Sequence, residues 1–119
     1  MRLRAACILA RVRERRGDAR IIFLIALGAR AAVVLWASSR FPAVEDGHYY
    51  DVLARRIASG VGYTWLWPDG AVTYVAHYPV GYPALVAAGY ALFGPTAWVA
   101  MTINAVLGAA GAYAGHRLI

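Results

Sequence analysis

Long apolar segments alternate with one polar interval along the chain. Residues 21–38 are almost entirely apolar, and a second apolar region from residue 83 is divided by Gly94-Pro95 into segments 83–94 and 96–117. A helix needs roughly 17–25 residues to cross a bilayer, so residues 21–38 and 96–117 are each long enough. The pattern predicts an all-α membrane protein with two transmembrane helices, and a tilted or re-entrant short apolar helix at 83–94.

The interval between the apolar regions, residues 39–82, contains the pattern of an amphipathic juxtamembrane helix at 47–59. Its apolar residues recur at helical spacing, at Tyr50, Leu53, Ala54, Ile57 and Val61. Asp46 is predicted to be the N-cap, where Asp is a favoured residue, and Ser59-Gly60-Val61-Gly62 is predicted to end the helix. Because this helix is too short and too charged to span, it is predicted to lie at the membrane surface.

A small β-hairpin is predicted after this helix. Residues 63–67 and 71–75 are rich in aromatic and β-branched side chains, and Pro68-Asp69-Gly70 between them is a turn sequence. Trp and Tyr side chains favour the interface between membrane and water. The aromatic residues of the hairpin are therefore interpreted first as interface anchors, with a sugar-binding platform as the alternative.

Charge orients the predicted spans. The chain is 61% hydrophobic with a net charge of +6, and all of its cationic side chains are Arg. Seven of the twelve Arg residues lie in segment 1–20, before the first apolar stretch. This excess predicts a cytoplasmic N-terminal tail and an extracytoplasmic loop at 39–82. Nucleic-acid binding is disfavoured, because the tail has neither interleaved aromatic residues nor the pattern of a groove-fitting helix.

The sequence argues against a disulfide within the chain and against a cleaved signal peptide. The single Cys7 excludes a disulfide within the chain. The length of segment 21–38, its interruption by Arg30 and the poor cleavage sequence at 35–38 favour an uncleaved anchor over a cleaved signal peptide.

Arg30 lies where a charge is costly, so it is predicted to reach a headgroup, a lipid phosphate or another helix. Asn104 in the second span is predicted to have a partner on another helix.

Acidic and histidine residues cluster near the start of the juxtamembrane helix. Glu45, Asp46 and His48 are close in sequence, which is a weak pattern for a metal site. Glu45 and Asp51 are interpreted as solvated charges. Asp46 is interpreted as a helix cap, which leaves its carboxylate free for another role.

Several motifs, taken in order, resemble the start of the GT-C membrane glycosyltransferases. The motifs are Asp46-x-x-x-Tyr50-x-x-Leu53-Ala54, Gly60-Val61-Gly62-Tyr63, Tyr78-Pro79-Val80-Gly81-Tyr82-Pro83, Ala91-Leu92-Phe93-Gly94 and Asn104-Ala105-Val106-Leu107-Gly108. The resemblance is to family-39-like enzymes, which include protein O-mannosyltransferases and the aminoarabinose transferases that modify lipid A. It covers roughly residues 20–119.

The resemblance implies roles for four residues. Asp46 matches the acidic residue that binds or deprotonates the acceptor hydroxyl, and His77 lies near a position that contacts the lipid phosphate. Tyr50 and Arg30 are the further substrate-binding candidates. The acid that often follows the family's Asp is Gly47 here, and Tyr78 replaces the first of two prolines. Some members also hold a metal near the matching Asp, so a divalent metal is left open as a cofactor.

The resemblance further implies a function. The chain is expected to be the N-terminal part of an integral glycosyltransferase of a bacterial plasma membrane. It would move a sugar from a polyprenyl-phosphate donor to an acceptor hydroxyl on the extracytoplasmic side. Family members have several hundred residues and many more spans, so the 119 residues alone are expected to be inactive without further membrane helices or a partner subunit. The alternative is a small two-span membrane subunit or adaptor without catalysis.

Overall fold

The computed structural model describes the backbone of residues 2–40, 42–75 and 78–118, and side chains from residue 17 within those ranges. Its elements are α1 (Arg2–Ala37), α2 (Asp46–Ala58), β1 (Thr64–Leu66), β2 (Val72–Tyr74), α3 (Gly81–Phe93) and α4 (Ala97–Leu118). Helices account for 70% of the chain. The prediction of a mostly helical protein with two helices of membrane length is confirmed.

Helix α1 joins the Arg-rich segment to the first apolar stretch without a break. It is 36 residues long, which corresponds to roughly 54 Å at the rise of an α-helix. Within it, Gly17–Ala37 is long and apolar enough to cross a membrane, and so is Ala97–Leu118. Only 6% of the first of these segments and 17% of the second are buried. The core helix of a water-soluble protein would be largely covered, so both helices present extensive apolar surface.

One compact unit comprises Met1–Val34 and Asn104–Ile119. Within it, small side chains are buried, at Ala19, Ala105 and Ala109. The guanidinium of Arg30 lies against Gly108, where a Cβ atom would be 2.5 Å from Arg30 Nε. Arg30 also donates a hydrogen bond from Nη1 to the carbonyl of Ala26, at 3.3 Å. Of the predicted alternatives for Arg30, the structure therefore shows contact with another helix.

The second compact unit is Leu35–Ile103, in which α2 packs on α3. Its core is a cluster of buried side chains: Ala54, Val86, Ala87, Tyr90 and Val99. Leu53 of α2 is fully buried as well. The two strands pair in antiparallel register, with Trp65 opposite Thr73, and β1 also contacts α2. The start of α2, the hairpin and the start of α3 are thus held in one folded unit.

The start of α2 differs from the prediction. Glu45 is the N-cap, with φ of 49° and no side-chain hydrogen bond to the helix, and Asp46 is the first helical residue. The N-cap assignment of Asp46 is therefore wrong. The physical reason is that the Asp46 carboxylate accepts a hydrogen bond from the distant Tyr78 instead of from its own helix. Its negative charge in the first turn is still favourable next to the helix N-terminus.

The end of α2 follows the glycine signal. Gly60 has φ of 80°, a backbone conformation that is costly for residues with a Cβ atom. Its N–H donates to the Ile57 carbonyl, and the Val61 N–H donates to the Arg56 carbonyl, both at 3.0 Å. This pair of hydrogen bonds is the Schellman motif, which turns the chain from α2 toward the hairpin.

Candidate active site

The structure brings together two motifs that lie near the two ends of the polar interval. The Tyr78 hydroxyl donates a hydrogen bond to Asp46 Oδ1 at 3.2 Å, across 32 residues of sequence. Tyr50 lies edge-on to Tyr78, with ring centroids 5.5 Å apart, and edge-on to Tyr82 at 5.3 Å. Asp46 and Tyr50 therefore meet the Tyr-Pro motif on one surface of this unit.

The Asp46 carboxylate is accessible to a substrate. It is exposed in the first turn of α2, and a carboxylate has about four lone-pair positions, so the bond from Tyr78 leaves it further capacity to accept. Partial loss of solvent, and then the hydrogen bond to Asp46, raises the pKa of Tyr78. Tyr78 consequently remains a protonated donor at neutral pH, and it holds the carboxylate in position.

Asp51, the next acid along α2, has a structural role. Asp51 Oδ1 accepts a hydrogen bond from the Tyr90 hydroxyl at 2.5 Å, and its Oδ2 accepts one from Arg55 Nε at 2.8 Å. The Arg55 guanidinium also lies 5.5 Å from the centre of the Tyr90 ring. The interpretation of Asp51 as a solvated charge is therefore wrong: it joins α2 to α3 behind the candidate site.

Tyr90→Phe is expected to lower the free energy of unfolding by about 1.5–3 kcal/mol, the range for a hydrogen bond to a charged group. Burial, with the hydrogen bond to Asp51, raises the pKa of Tyr90. Since the unfolded phenol ionises near pH 10, this contribution is complete below about pH 10 and is lost as the pH rises further. Unfolding of the chain in micelles, followed between pH 8 and pH 11, should show an alkaline loss that Tyr90→Phe diminishes. Equal alkaline slopes for parent and variant would contradict this role, and Tyr74→Phe, at an exposed ring, is the control.

The arginines of this unit make contacts away from Asp46. Arg40 donates to the carbonyl of Trp36 at 2.5 Å, and Arg55 pairs with Asp51. Arg56 donates from Nε to the buried Thr64 hydroxyl at 2.9 Å. The side-chain hydrogen bond that Asp46 accepts within the described residues comes instead from the Tyr78 hydroxyl.

The other predicted site residues lie in different parts of the chain and do not all meet Asp46. Arg30 belongs to the first compact unit, and Tyr50 contacts the Tyr78 and Tyr82 rings. His77, the phosphate-contact candidate, lies outside the described residues. His48 lies edge-on to Tyr49, with centroids 6.3 Å apart. Among the described residues, no group of three His, Cys, Asp or Glu side chains is placed to hold a metal ion, so Glu45, Asp46 and His48 do not form a ligand set.

An aromatic cleft of about 430 Å³ lies beside the Asp46–Tyr78 pair. Its lining residues are Tyr49, Leu53, Trp65, Trp67, Thr73, Tyr74, Val75 and Tyr78. Tyr49 stacks on Tyr78 with centroids 5.3 Å apart and lies 4.7 Å from Trp65. The hairpin was predicted from its turn, but the cleft needs α2, both strands and Tyr78 to come together, and no local sequence pattern predicts that.

Comparison of the chain with protein family models, with curated proteins and with solved structures finds no match.

Proposed function

We propose that the chain is part of an integral-membrane glycosyltransferase that moves a sugar from a polyprenyl-phosphate donor to an acceptor hydroxyl. The observation that carries the proposal is the hydrogen bond between Tyr78 and Asp46, which joins the two motifs that resemble the GT-C enzymes. An exposed carboxylate, positioned by a protonated phenol beside an aromatic cleft, is suited to bind a polyhydroxylated substrate and to remove a proton from it.

In the proposed reaction Asp46 is the general base. The acceptor hydroxyl gives its proton to Asp46, and its oxygen forms a bond to the anomeric carbon of the sugar. The bond between that carbon and the lipid phosphate breaks, and the phosphate leaves with the bonding electron pair. Tyr78 is a positioning residue, because its hydrogen bond fixes one carboxylate oxygen and leaves the other positioned for the acceptor.

The leaving phosphate needs a cation or a hydrogen-bond donor to stabilise its charge. The three arginines of the second unit are engaged with Trp36, Asp51 and Thr64. We propose that His77 and further membrane helices, on the same or a partner chain, supply this contact. A divalent metal is the alternative source of positive charge for the leaving phosphate.

The proposed location of the site is the extracytoplasmic surface of a bacterial plasma membrane. Support comes from the exposed apolar residues on the two long helices, among them Leu24, Ile25 and Leu35 of α1. It also comes from the seven Arg residues that precede the first apolar stretch, because such residues remain in the cytoplasm. The site would then face the leaflet in which a lipid-linked donor presents its sugar.

Labelling of single cysteines tests this topology. In a Cys7→Ser background, Asp69→Cys in the exposed turn of the hairpin should react with a membrane-impermeant maleimide in intact cells. The native Cys7 of the parent chain is the matched control and should react only after the membrane is permeabilised. Labelling of the cysteine at position 69 only after permeabilisation would overturn the orientation.

The proposed activity is tested in membranes of the source cell, which supply any further helices or partner. Membranes enriched in the chain should incorporate more labelled sugar from a polyprenyl-phosphate donor than membranes from which the chain has been deleted. A nucleotide-sugar donor should give no difference between them in the presence of an inhibitor of lipid-linked donor synthesis. Equal incorporation from the polyprenyl-phosphate donor with and without the chain would contradict the proposal.

A further inference from the structure

The aromatic cleft has walls made of ring faces. Tyr49 is central to them, because it stacks on Tyr78 and lies against Trp65. The face of an aromatic ring carries partial negative charge. It therefore attracts the C–H groups of a sugar ring, which are polarised by the neighbouring oxygens, more strongly than it attracts the C–H groups of an alkyl chain.

The polar side-chain atoms of the cleft are hydroxyl groups and indole N–H groups. They belong to Thr73, the three tyrosines and the two tryptophans, and none of the described lining residues carries a formal charge at neutral pH. A mostly apolar site with a few fixed polar groups is the usual arrangement for a small neutral ligand. The lining therefore matches a sugar ring with hydroxyl groups, and its described residues offer no cation for a phosphate.

The walls of the cleft are held in place before a ligand arrives. Trp67 Nε1 donates a hydrogen bond to Thr73 Oγ1 at 2.9 Å, which fixes the indole across the hairpin. The Tyr63 hydroxyl donates to the Tyr78 carbonyl at 2.5 Å. The base of the cleft includes the buried Leu53 and Val75. Rings that are already fixed lose little conformational entropy when a ligand binds, which favours affinity.

Size and position narrow the ligand further. About 430 Å³ lies at the small end of the roughly 300–1,000 Å³ range of small-molecule sites, so the cleft suits one or two sugar rings. Tyr78 is both a wall of the cleft and the donor to Asp46. A ring on this wall would therefore lie beside the candidate base.

We propose that the aromatic cleft is a binding site for a neutral pyranose ring, which it holds next to Asp46. The role of that ring in catalysis rests on the proposed function, whereas its binding is measured independently. The ring is that of the lipid-linked donor or that of a glycan acceptor, since both present the same chemistry to the cleft.

Tryptophan fluorescence of the full chain in phosphatidylcholine nanodiscs tests the binding. Trp36→Phe with Trp98→Phe leaves Trp65 and Trp67, both in the cleft, as the only reporters. Methyl glucoside, galactoside and mannoside are the probes. At least one of them should change the emission saturably, and Tyr49→Leu should weaken its binding about tenfold, the loss expected for a stacking face.

Matched variants separate binding from folding. Tyr113→Leu removes a tyrosine outside the cleft lining and should leave the affinity unchanged. If Tyr49→Leu loses helical circular dichroism, Trp65→Leu takes its place. Saturation-transfer NMR of the glycoside then measures the binding, and the same tenfold loss of affinity is expected. Absence of saturable binding of all three glycosides to the folded parent chain would overturn the proposal.

A second arm excludes an acyl chain as the occupant. In nanodiscs with brominated acyl chains, Trp65 and Trp67 should be quenched less than the Trp36 and Trp98 pair in a Trp65→Phe, Trp67→Phe chain. Equal or stronger quenching of the cleft pair would place the cleft among lipid tails and overturn the proposal.

A third arm assigns the source of the ring. If a short-chain prenyl-phosphate sugar displaces the methyl glycoside, the cleft binds the ring of the donor. If both ligands bind at the same time, the cleft binds the ring of the acceptor. Either result supports a pyranose site. Glycoside binding without sugar transfer would refute the proposed function and keep this inference. Transfer that depends on Asp46 but is unaffected by Tyr49→Leu and Trp65→Leu would keep the proposed function and refute this inference.

Discussion

Asp46→Asn is expected to lower the rate of sugar transfer by about 10²–10⁴-fold, the contribution of a general base. The amide keeps the size of the side chain and can still accept the hydrogen bond from Tyr78, but it cannot take a proton from the acceptor hydroxyl. The loss should therefore fall mainly on kcat, with little change in glycoside binding to the cleft. Transfer from a polyprenyl-phosphate donor in source-cell membranes measures it.

Two further variants bracket this result. Asp69→Asn makes the same chemical change in the exposed turn of the hairpin, where Asp69 accepts a local hydrogen bond from the Ala71 N–H at 3.0 Å. It should retain full transfer. Tyr78→Phe keeps the ring in the cleft and removes the hydroxyl that holds Asp46, so a smaller loss of about tenfold is expected. An Asp46→Asn chain with the rate of Asp69→Asn would show that Asp46 is not the base.

Leu53→Ala is expected to lower the free energy of unfolding by about 2–5 kcal/mol, the range for a buried Leu that leaves a cavity. Leu53 is fully buried on the face of α2 that supports the cleft. Because Leu53 also lines the aromatic cleft, the void would open beside the cleft. Equilibrium unfolding of the chain in micelles, followed by circular dichroism, measures the loss.

Leu92→Ala is the matched control for this change. Leu92 lies on α3 and is 77% exposed, so the same truncation leaves no internal cavity there. It should change the free energy of unfolding by less than about 0.5 kcal/mol. Equal effects of the two substitutions would show that Leu53 is not packed in the interior of the second unit.

Features that depend on local sequence were predicted best. Helix α2 occupies Asp46–Ala58 against a predicted 47–59, and α4 occupies Ala97–Leu118 against 96–117. Apolar periodicity, Gly60 and Gly94-Pro95 are all signals that operate within a few residues. The boundary between the Arg-rich segment and the first span is the exception, because α1 continues through Gly17. A single glycine weakens a helix by about 1 kcal/mol, which does not suffice to end one.

Features that depend on distant residues were missed or left open. The predicted N-cap of α2 is one residue late, because the Asp46 carboxylate accepts its hydrogen bond from Tyr78, 32 residues away, instead of from its own helix. Asp51 was interpreted as solvated because its partner Tyr90 is 39 residues away and meets it only when α3 packs on α2. Several partners are possible for Arg30 from the sequence, and its contact with Gly108 forms only where α1 and α4 meet.

The candidate site shows the same division. Asp46 and Tyr50 were selected from their motif, and the structure places both against the Tyr-Pro motif. In the sequence, Tyr78 is only a departure from the first of two prolines in the motif that the chain resembles. In the structure it donates a hydrogen bond to Asp46 and forms part of the cleft. Its role depends on a contact across 32 residues, which no spacing rule indicates.

Sugar transfer by three chains, assayed side by side, tests whether Asp46 is the base. Membranes of source cells that carry the parent chain, Asp69→Asn or Asp46→Asn at equal abundance are given a polyprenyl-phosphate donor with a radiolabelled sugar. The parent chain and Asp69→Asn should incorporate label at the same rate, and Asp46→Asn should fall to the level of membranes without the chain. Equal incorporation by all three chains would contradict the assignment of Asp46 as the base.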